Sequence, residues 1–483
     1  MMKYKVHPTI INTIANIYKE DNTLIKLTED RQTEIPVTSG IRQGCTGSTT
    51  LFKLITYAIM MKLEEGRGFN NTNIHINSLF FADDGLLLSH SIDEAQHSIR
   101  LLTEISRECG LEINKNKSKI IIYNLENSPQ QIENIQVCEE IKYLGLTLLN
   151  NRNIFTKQKK IMIEKAQKLA NLTYSITAKS CHKITVGKAY WKSVCLPSIL
   201  YGANVINFTE RDIQQLQIIE NSVYRHILGA PRFAQTCTLR GEVGASSMKK
   251  RIMEGKLLYL KSIIDAYTTT TQENQTREED NRNNLLKEVY KMAKGNQQNW
   301  IKNINKYLEC SKLTLRDIGK LKKEEIKEKL RSWDTEEWKQ EVQSKRSLEL
   351  YKIYKPEIKC EELIYDNTPS SVTLYRARTN NLALNDRKRF YNEDTTCIMC
   401  GAEEENLQHF LLYCPGYQGV RRAVQAPPLP AAAGEHIAPL GCLLFTDAEK
   451  NKDNIHRMWL LREKRRQQKE QQATMIVTAV TEE

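Results

Sequence analysis

The chain has 483 residues, 40% of them hydrophobic, with 70 Lys and Arg against 58 Asp and Glu, for a formal net charge of +12. That length and apolar content predict two or more domains with real cores and exclude a disordered protein. No apolar run approaches the roughly 18 to 20 residues that span a bilayer, and the first eight residues have no apolar signal core. The expectation is therefore an intracellular protein, nuclear or cytoplasmic, with no membrane partner. The basic balance favours a polyanion partner but says nothing about fold.

In chain order, residues 37–48 form a loop punctuated by Gly40, Gly44 and Gly47, in which Arg42 and Gln43 supply a cation and an amide able to reach phosphate and base edges. An ordinary loop before a helix is the plain alternative. The helix follows from Leu51, Ile55, Ile59 and Leu63, with Ser48 placed to cap it. Residues 80–88 then carry Asp83 and Asp84 between apolar flanks, the pattern of a hairpin tip. Two carboxylates so placed suit two-metal phosphoryl transfer, although Asp pairs are also common solvated turn residues. Ser91 and Glu94 predict a capping box, and Ala95, Ile99, Leu102, Ile105 and Cys109 the buried face of a helix stopped by Gly110. Strands are predicted at 120–123 and 141–148.

Beyond them Lys157, Lys160, Lys165 and Lys168 flank the apolar Ile161 and Leu169 on an amphipathic helix, either a phosphate-binding face or a solvated one. Thr209 and Asp212 start a helix with Ile213, Leu216, Ile219, Val223 and Ile227 as its core face. Residues 268–284 have almost nothing to bury and read as a linker. Residues 300–352 read as exposed helices anchored by Trp333 and Trp338. Cys397, Cys400, His409 and Cys414 give the spacing C-x2-C-x8-H-x4-C. Three thiolates and an imidazole complete a closed tetrahedral site for one structural zinc ion, with buried free thiols as the alternative. The remaining cysteines are scattered singly and suit reduced thiols. A Pro- and Ala-rich connector at 426–434 precedes a basic helix with Arg462, Lys464, Arg465 and Arg466, a candidate RNA-binding or nuclear-import segment.

The ordered set G-I-R-Q-G-C, F-A-D-D, G-L-x-x-N-x-x-K-S and Y-L-G, at Gly40, Phe81, Gly110 and Tyr143 respectively, resembles the reverse transcriptase palm of non-LTR (LINE-type) retrotransposons. The resemblance implies that Asp83 ligates two magnesium ions with Asp84 as its supporting neighbour, and that Gln43 and Gly44, beside Arg42, lie against template and incoming nucleotide. It implies that Lys117 assists the pyrophosphate leaving group and that Tyr143, Leu144 and Gly145 grip the primer end. Core packing explains Tyr143 and Leu144 equally well. The lysines after Y-L-G would belong to the helical thumb. The cysteine cluster resembles the family's C-terminal zinc-binding segment without its usual proline. Arg376 and Arg378 match an R-x-R-T-G type element with Asn380 in place of Gly, and either face nucleic acid or are simply solvated.

Family members carry a further D-x-x-x-A-F-D strand that supplies a third metal carboxylate. This chain lacks that pattern. Residues 8–18 look like the helix that follows it, and 24–27 with 35–37 like the next hairpin, so the strand is expected to lie before Met1 and the chain to be N-terminally truncated. With one of three carboxylates gone, little polymerase activity is expected from the chain alone. The fold class expected is α+β: a partial right-hand palm with an antiparallel sheet at 1–150, a helical thumb at 151–267, the linker at 268–284, a basic helical region at 285–390, a CCHC zinc module at 391–422, and a linker with a basic helix at 423–483. Two functions stand: an RNA-directed DNA polymerase fragment acting with an RNA template and a DNA primer, or a noncatalytic RNA- or DNA-binding protein derived from a retroelement. A viral RNA-dependent RNA polymerase fits less well, since Phe81-Ala82-Asp83-Asp84 stands where that class has Gly-Asp-Asp.

Overall fold

A proline at the first helical position starts α1 (Pro8–Lys19), and the chain then turns through the paired strands β1 (Asn22–Thr28) and β2 (Arg31–Pro36), with Leu24 opposite Glu34. The structure is a computed structural model and describes residues 6–19, 22–28, 31–37, 40–42, 44–63, 69–71, 74–125, 127–180, 182–270, 299–358, 364–366, 368–401, 404–421 and 437–481. The chain divides into two units, residues 1–154 with 270–289 and residues 155–269 with 290–483.

The first unit continues with α2 (Thr46–Leu63), the short strands β3 (Phe69–Asn71) and β4 (Ile74–Ile76), and the hairpin of β5 (Ser78–Phe81) and β6 (Asp84–Leu87). Next comes α3 (Ile92–Glu108). Ser91 caps it by accepting from the Glu94 amide, while the Glu94 carboxylate accepts from the His90 amide, one residue earlier than a capping box requires. Gly110, at φ +71°, ends the helix as expected, but Cys109 is exposed rather than part of the buried face. After it follow β7 (Lys119–Ile120), β8 (Gln131–Ile132), β9 (Ile135–Val137), β10 (Glu140–Tyr143) and β11 (Leu146–Leu149).

Among the described residues these strands make five small sheets, antiparallel except for the β7–β9 pairing, in place of one continuous sheet. The strand predicted at 141–148 is a hairpin instead. Leu144 at φ +46° and Gly145 at φ +79° form its two-residue turn, the doubly left-handed geometry that matches strand twist. The core lies on two faces of α3. Ile105 packs with Ile59 and Leu63 of α2, and Ile99 with Ile132 and Ile135 of the β8–β9 hairpin. Leu87 of β6 touches both clusters, so the Asp-bearing hairpin is held by its base while its tip stays free.

The second unit is helical. Helix α4 (Thr156–Ala178) buries Met162, Ala166, Ala170, Thr173 and Thr177, a ridge at three- and four-residue spacing whose small side chains admit close neighbours. Against it lie α5 (Lys183–Tyr190), the turn α6 (Leu196–Ile199) and α7 (Glu210–Ile227). The predicted Thr209 start holds: Thr209 and Asp212 form a reciprocal capping box. Helices α8 (Thr236–Val243) and α9 (Met248–Thr270) follow, so residues 268–270 of the expected linker close a helix and the rest of it lies outside the described residues, as does the Pro- and Ala-rich connector. Four further helices span Asn299–Cys310, Leu315–Lys320, Lys323–Gln343 and Glu349–Tyr354. Trp338 is 1% exposed and donates to the Cys237 carbonyl at 2.8 Å, serving as the anchor that its composition suggested.

A buried ionic knot joins these helices to the C-terminal part. Glu242 on α8 accepts from Arg378 at 2.8 Å and from the Tyr365 hydroxyl. Arg378 also donates to the Leu444 carbonyl at 2.8 Å, and its guanidinium lies 4.4 Å over the Phe445 ring. Burial by itself raises the Glu242 carboxyl, but the charges of Arg378 and Lys355 outweigh it and hold the group below its ordinary value. Glu242→Ala is therefore expected to destabilise this unit by about 3–5 kcal/mol, since it strands a buried guanidinium, and a thermal melt reads the loss. Because the folded carboxyl is depressed, its contribution is complete above the ordinary 4.5 and fades as pH falls through the lower folded value. Acid melts of the wild type should show that extra loss, and those of Glu242→Gln should not.

Candidate functional site

The β5–β6 hairpin pairs Phe81 with Asp84, leaving Ala82 and Asp83 as its two-residue turn. Ala82 adopts φ +52°, an uncommon conformation for a residue with a Cβ, held here because the strands on either side are fixed. Asp83 and Asp84 are both exposed at this tip. The hairpin's base is anchored by the buried Asn77, whose amide donates to the Leu63 carbonyl at 2.7 Å and whose own carbonyl accepts from the Leu88 amide at 2.8 Å. Across the strands Phe80 lies over Gly85, where a Cβ would sit 2.7 Å from the ring. Sequence reasoning named neither Asn77 nor Gly85 as a support. A polar residue beside the strand and a glycine within it were the available signals.

Tyr143 lies within range of the Asp84 charge. Its hydroxyl is pushed up by partial burial and further by the negative charge of Asp84. Tyr143, Leu144 and Gly145 thus sit at the tip of a second hairpin, with Leu144 and Gly145 as its turn.

The glycine loop packs on α1. Arg42 donates to the Ile17 carbonyl at 3.3 Å and lies 5.8 Å over the Tyr18 ring. Ser48 is not the cap predicted for α2. The helix starts at Thr46, and the buried Ser48 hydroxyl donates to the Arg42 carbonyl at 2.6 Å, tying the loop down. Gly44 turns at φ +80°, and the amides of Gly47 and Ser48 at the helix start lower the exposed Cys45 thiol. Gln43 lies outside the described residues. Lys117 is exposed in a turn closed by Asn114, which accepts from the Lys117 amide at 3.1 Å.

On α4, Lys157, Lys160, Lys165 and Lys168 are all exposed, and Lys165 donates to the Ser198 carbonyl at 2.9 Å. The arginines expected to face nucleic acid do not present themselves. Arg378 is 5% exposed and bound to Glu242, and Arg376 donates through Nε and Nη2 to the Gly229 carbonyl at 3.2 and 2.9 Å. Both are taken up because their helix, Pro369–Arg378, is itself interior. Of the C-terminal basic run, Arg462 is 1% exposed on Glu405, and Arg466 pairs with Glu463 and Glu470.

Cys397, Cys400, His409 and Cys414 do converge. Their ligand atoms all lie within 4.8 Å of one another, with Cys397 Sγ 3.6 Å from Cys414 Sγ and Cys400 Sγ 3.4 Å from His409 Nε2. Thiolate and imidazole ligands about 2.0–2.3 Å from one ion at tetrahedral angles are separated by about 3.5–3.8 Å, so the set fits such an ion. Gly401, at φ +69°, turns the chain after the second thiol, and the Asn406 side chain accepts from the His409 amide at 2.8 Å. Burial pushes the Cys414 thiol up to about 12 and raises Cys397, a cost that a bound cation would reverse. Among the described residues this is the one group of three or more metal-type side chains close enough to share an ion; Asp83 and Asp84 have no third carboxylate beside them.

Residues 2–148, which contain both hairpins, the glycine loop and Lys117, match the family described as reverse transcriptase (RNA-dependent DNA polymerase), and this part of the chain is a reverse transcriptase domain. Its relatives support a domain of the LINE-type, non-LTR retrotransposon family. The chain is 28% identical over 115 residues to a Pol polyprotein of the type-1 retrotransposable element R2 from Bradysia coprophila, and 30% identical over 102 residues to the R2 polyprotein of Nasonia vitripennis. It is 26% identical over 170 residues to a transposon-derived protein of Caenorhabditis elegans. The matched stretches cover 24%, 21% and 32% of this chain but 13%, 10% and 57% of those relatives, so the chain corresponds to only part of each.

Gly85→Ala is expected to displace the Phe80 ring and loosen the Asp-bearing hairpin, at a cost of about 1–3 kcal/mol. Hydrogen exchange across residues 78–87 should accelerate while α4 keeps its protection.

Proposed function

We propose that the chain supplies palm and thumb parts of an RNA-directed DNA polymerase, working on an RNA template and a DNA primer. The observation that supports this most is the Asp83–Asp84 hairpin tip, exposed on a firmly packed base inside the matched reverse transcriptase domain. In this reading Asp83 and Asp84 hold two magnesium ions, which when bound neutralise the phosphoryl oxygens and acidify the primer 3′ hydroxyl. Gly44 lets the loop backbone approach template and incoming nucleotide, with Arg42 and Gln43 beside it. The Lys117 ammonium lies ready to protonate the pyrophosphate leaving group, and Tyr143, Leu144 and Gly145 hold the primer end. Lys157, Lys160, Lys165 and Lys168 track the duplex phosphates along α4.

Two carboxylates match the developing charge less well than three. Since no third one stands beside Asp83 and Asp84 among the described residues, the chain by itself binds template and primer but extends them little. That observation favours the second reading, a noncatalytic nucleic-acid-binding protein, for the chain in isolation. Primer extension by the purified chain on an RNA template, beside Asp83→Asn, decides between them. The expected result is RNA binding with extension near the level of the substituted chain. Efficient magnesium-dependent extension that Asp83→Asn abolishes would show a complete catalytic set and overturn the noncatalytic reading.

Cys397, Cys400, His409 and Cys414 hold one structural zinc ion, in a closed site with no position left for substrate. Elemental analysis should find one zinc per chain, and Cys414→Ser should lose it and melt at a lower temperature. A chain that melts unchanged after exhaustive chelation speaks against the zinc.

A further inference from the structure

Phe390 and Tyr391 are 87% and 77% exposed, the two most exposed large apolar side chains among the described residues. They end a short 3₁₀ helix, Asn385–Tyr391, whose sequence Asn-Asp-Arg-Lys-Arg-Phe-Tyr interleaves cations with rings. In such a helix residues three apart are eclipsed, so Arg387 lies in line with Phe390 and Lys388 with Tyr391. Arg387 also lies 4.9 Å over the ring of Phe233, itself 60% exposed, which adds a third accessible ring to the same surface. Phe390 and Tyr391 thus stand almost fully exposed beside guanidinium and ammonium groups, with Phe233 partly covered by Arg387.

The acids nearby are mostly engaged. Glu404 pairs with Arg389, Asp394 accepts from the Thr396 amide and hydroxyl at 2.9 Å each, and burial raises the half-buried Asp386 carboxyl toward its neutral form. The platform is also rigidly held. Asn385 donates through its amide to Glu405 at 2.9 Å and through Nδ2 to the Thr396 carbonyl at 2.8 Å, while Glu405 in turn accepts from the buried Arg462 at 2.9 and 2.6 Å. Thr396 and Glu404 form a β-bridge immediately outside the metal-type cluster.

The geometry points to a base-stacking site for single-stranded nucleic acid, built on Phe390, Tyr391 and Phe233 and flanked by Arg387 and Lys388. Aromatic faces accept any base and neighbouring cations accept the backbone phosphates, whereas a duplex keeps its bases stacked inside. This inference rests on the reading of the chain as a nucleic-acid-binding protein. It adds a site outside the reverse transcriptase domain, on the segment that precedes the cysteine cluster.

The test is fluorescence anisotropy with the full chain, using labelled oligo(dT), oligo(U) and a DNA duplex, each of about twenty nucleotides per strand. Phe390→Ala combined with Tyr391→Ala is expected to weaken single-strand binding by about ten- to a hundredfold and to leave duplex binding unchanged. Phe390→Trp should keep the affinity, with tryptophan emission quenched on binding. Equal loss for oligo(dT) and oligo(U) marks stacking on bases of either strand type, and loss confined to one marks a site selective for that strand type. Wild-type binding that the double substitution leaves within twofold overturns this inference alone. No binding of any oligonucleotide by the wild type overturns it together with the reading it rests on. If instead the substitution abolishes self-association in sedimentation and spares oligonucleotide affinity, the surface is a protein interface and the proposal falls.

Discussion

Glu242, buried on α8, draws Arg378, Tyr365 and the environment of Tyr351 onto one carboxylate, and the rest of the second unit is arranged around keeping that charge matched. A lone carboxylate in that interior is untenable, so each partner has to arrive with correct geometry or the helices cannot close. Arg378 extends the constraint, since its guanidinium also bonds the Leu444 carbonyl and covers Phe445, which stacks on Tyr354 at 5.5 Å. One ion pair thereby fixes four segments far apart in sequence. The neighbouring Gly241 belongs to the same constraint, because a Cβ there would strike Trp338.

The same device recurs closer to the cysteine cluster. Glu405, with no exposure, is matched by Arg462 from the helix Ala448–Thr481 and by the backbone amide of Asn385. These ties place three surfaces in fixed relation: the four metal-type ligands, the exposed rings of Phe390 and Tyr391, and the terminal helix. Side chains that composition marks as nucleic-acid contacts serve here as struts. The cations that stay exposed are instead residues such as the α4 lysines and Lys388.

In the first unit the order is reversed, with a well-packed base and a bare tip. Leu87 joins the two clusters on α3, Asn77 ties the strand to α2, and the carboxylates stand beyond that support with a left-handed Ala82 between the strands. Tyr143, on a separate hairpin, registers the nearby Asp84 charge.

Local chemistry by itself determined much of this protein. The spacing of Ile59 and Leu63, the Thr209–Asp212 cap, the Gly110 stop, the hairpin whose tip carries Asp83 and Asp84, and the four ligands from Cys397 to Cys414 each depend on residues close in sequence, and each appears where periodicity and spacing place it. Only the tertiary structure decided which charges remain available. Arg376, Arg378 and Arg462 look like solvent-facing cations in any window of sequence. Their carbonyl and carboxylate partners lie 147, 136 and 57 residues away, so no local pattern reveals that all three are engaged and that Arg378 and Arg462 are buried. The Leu144–Gly145 turn escaped for a related reason: the apolar run around it reads equally well as one strand or two, and strand pairing settles the choice.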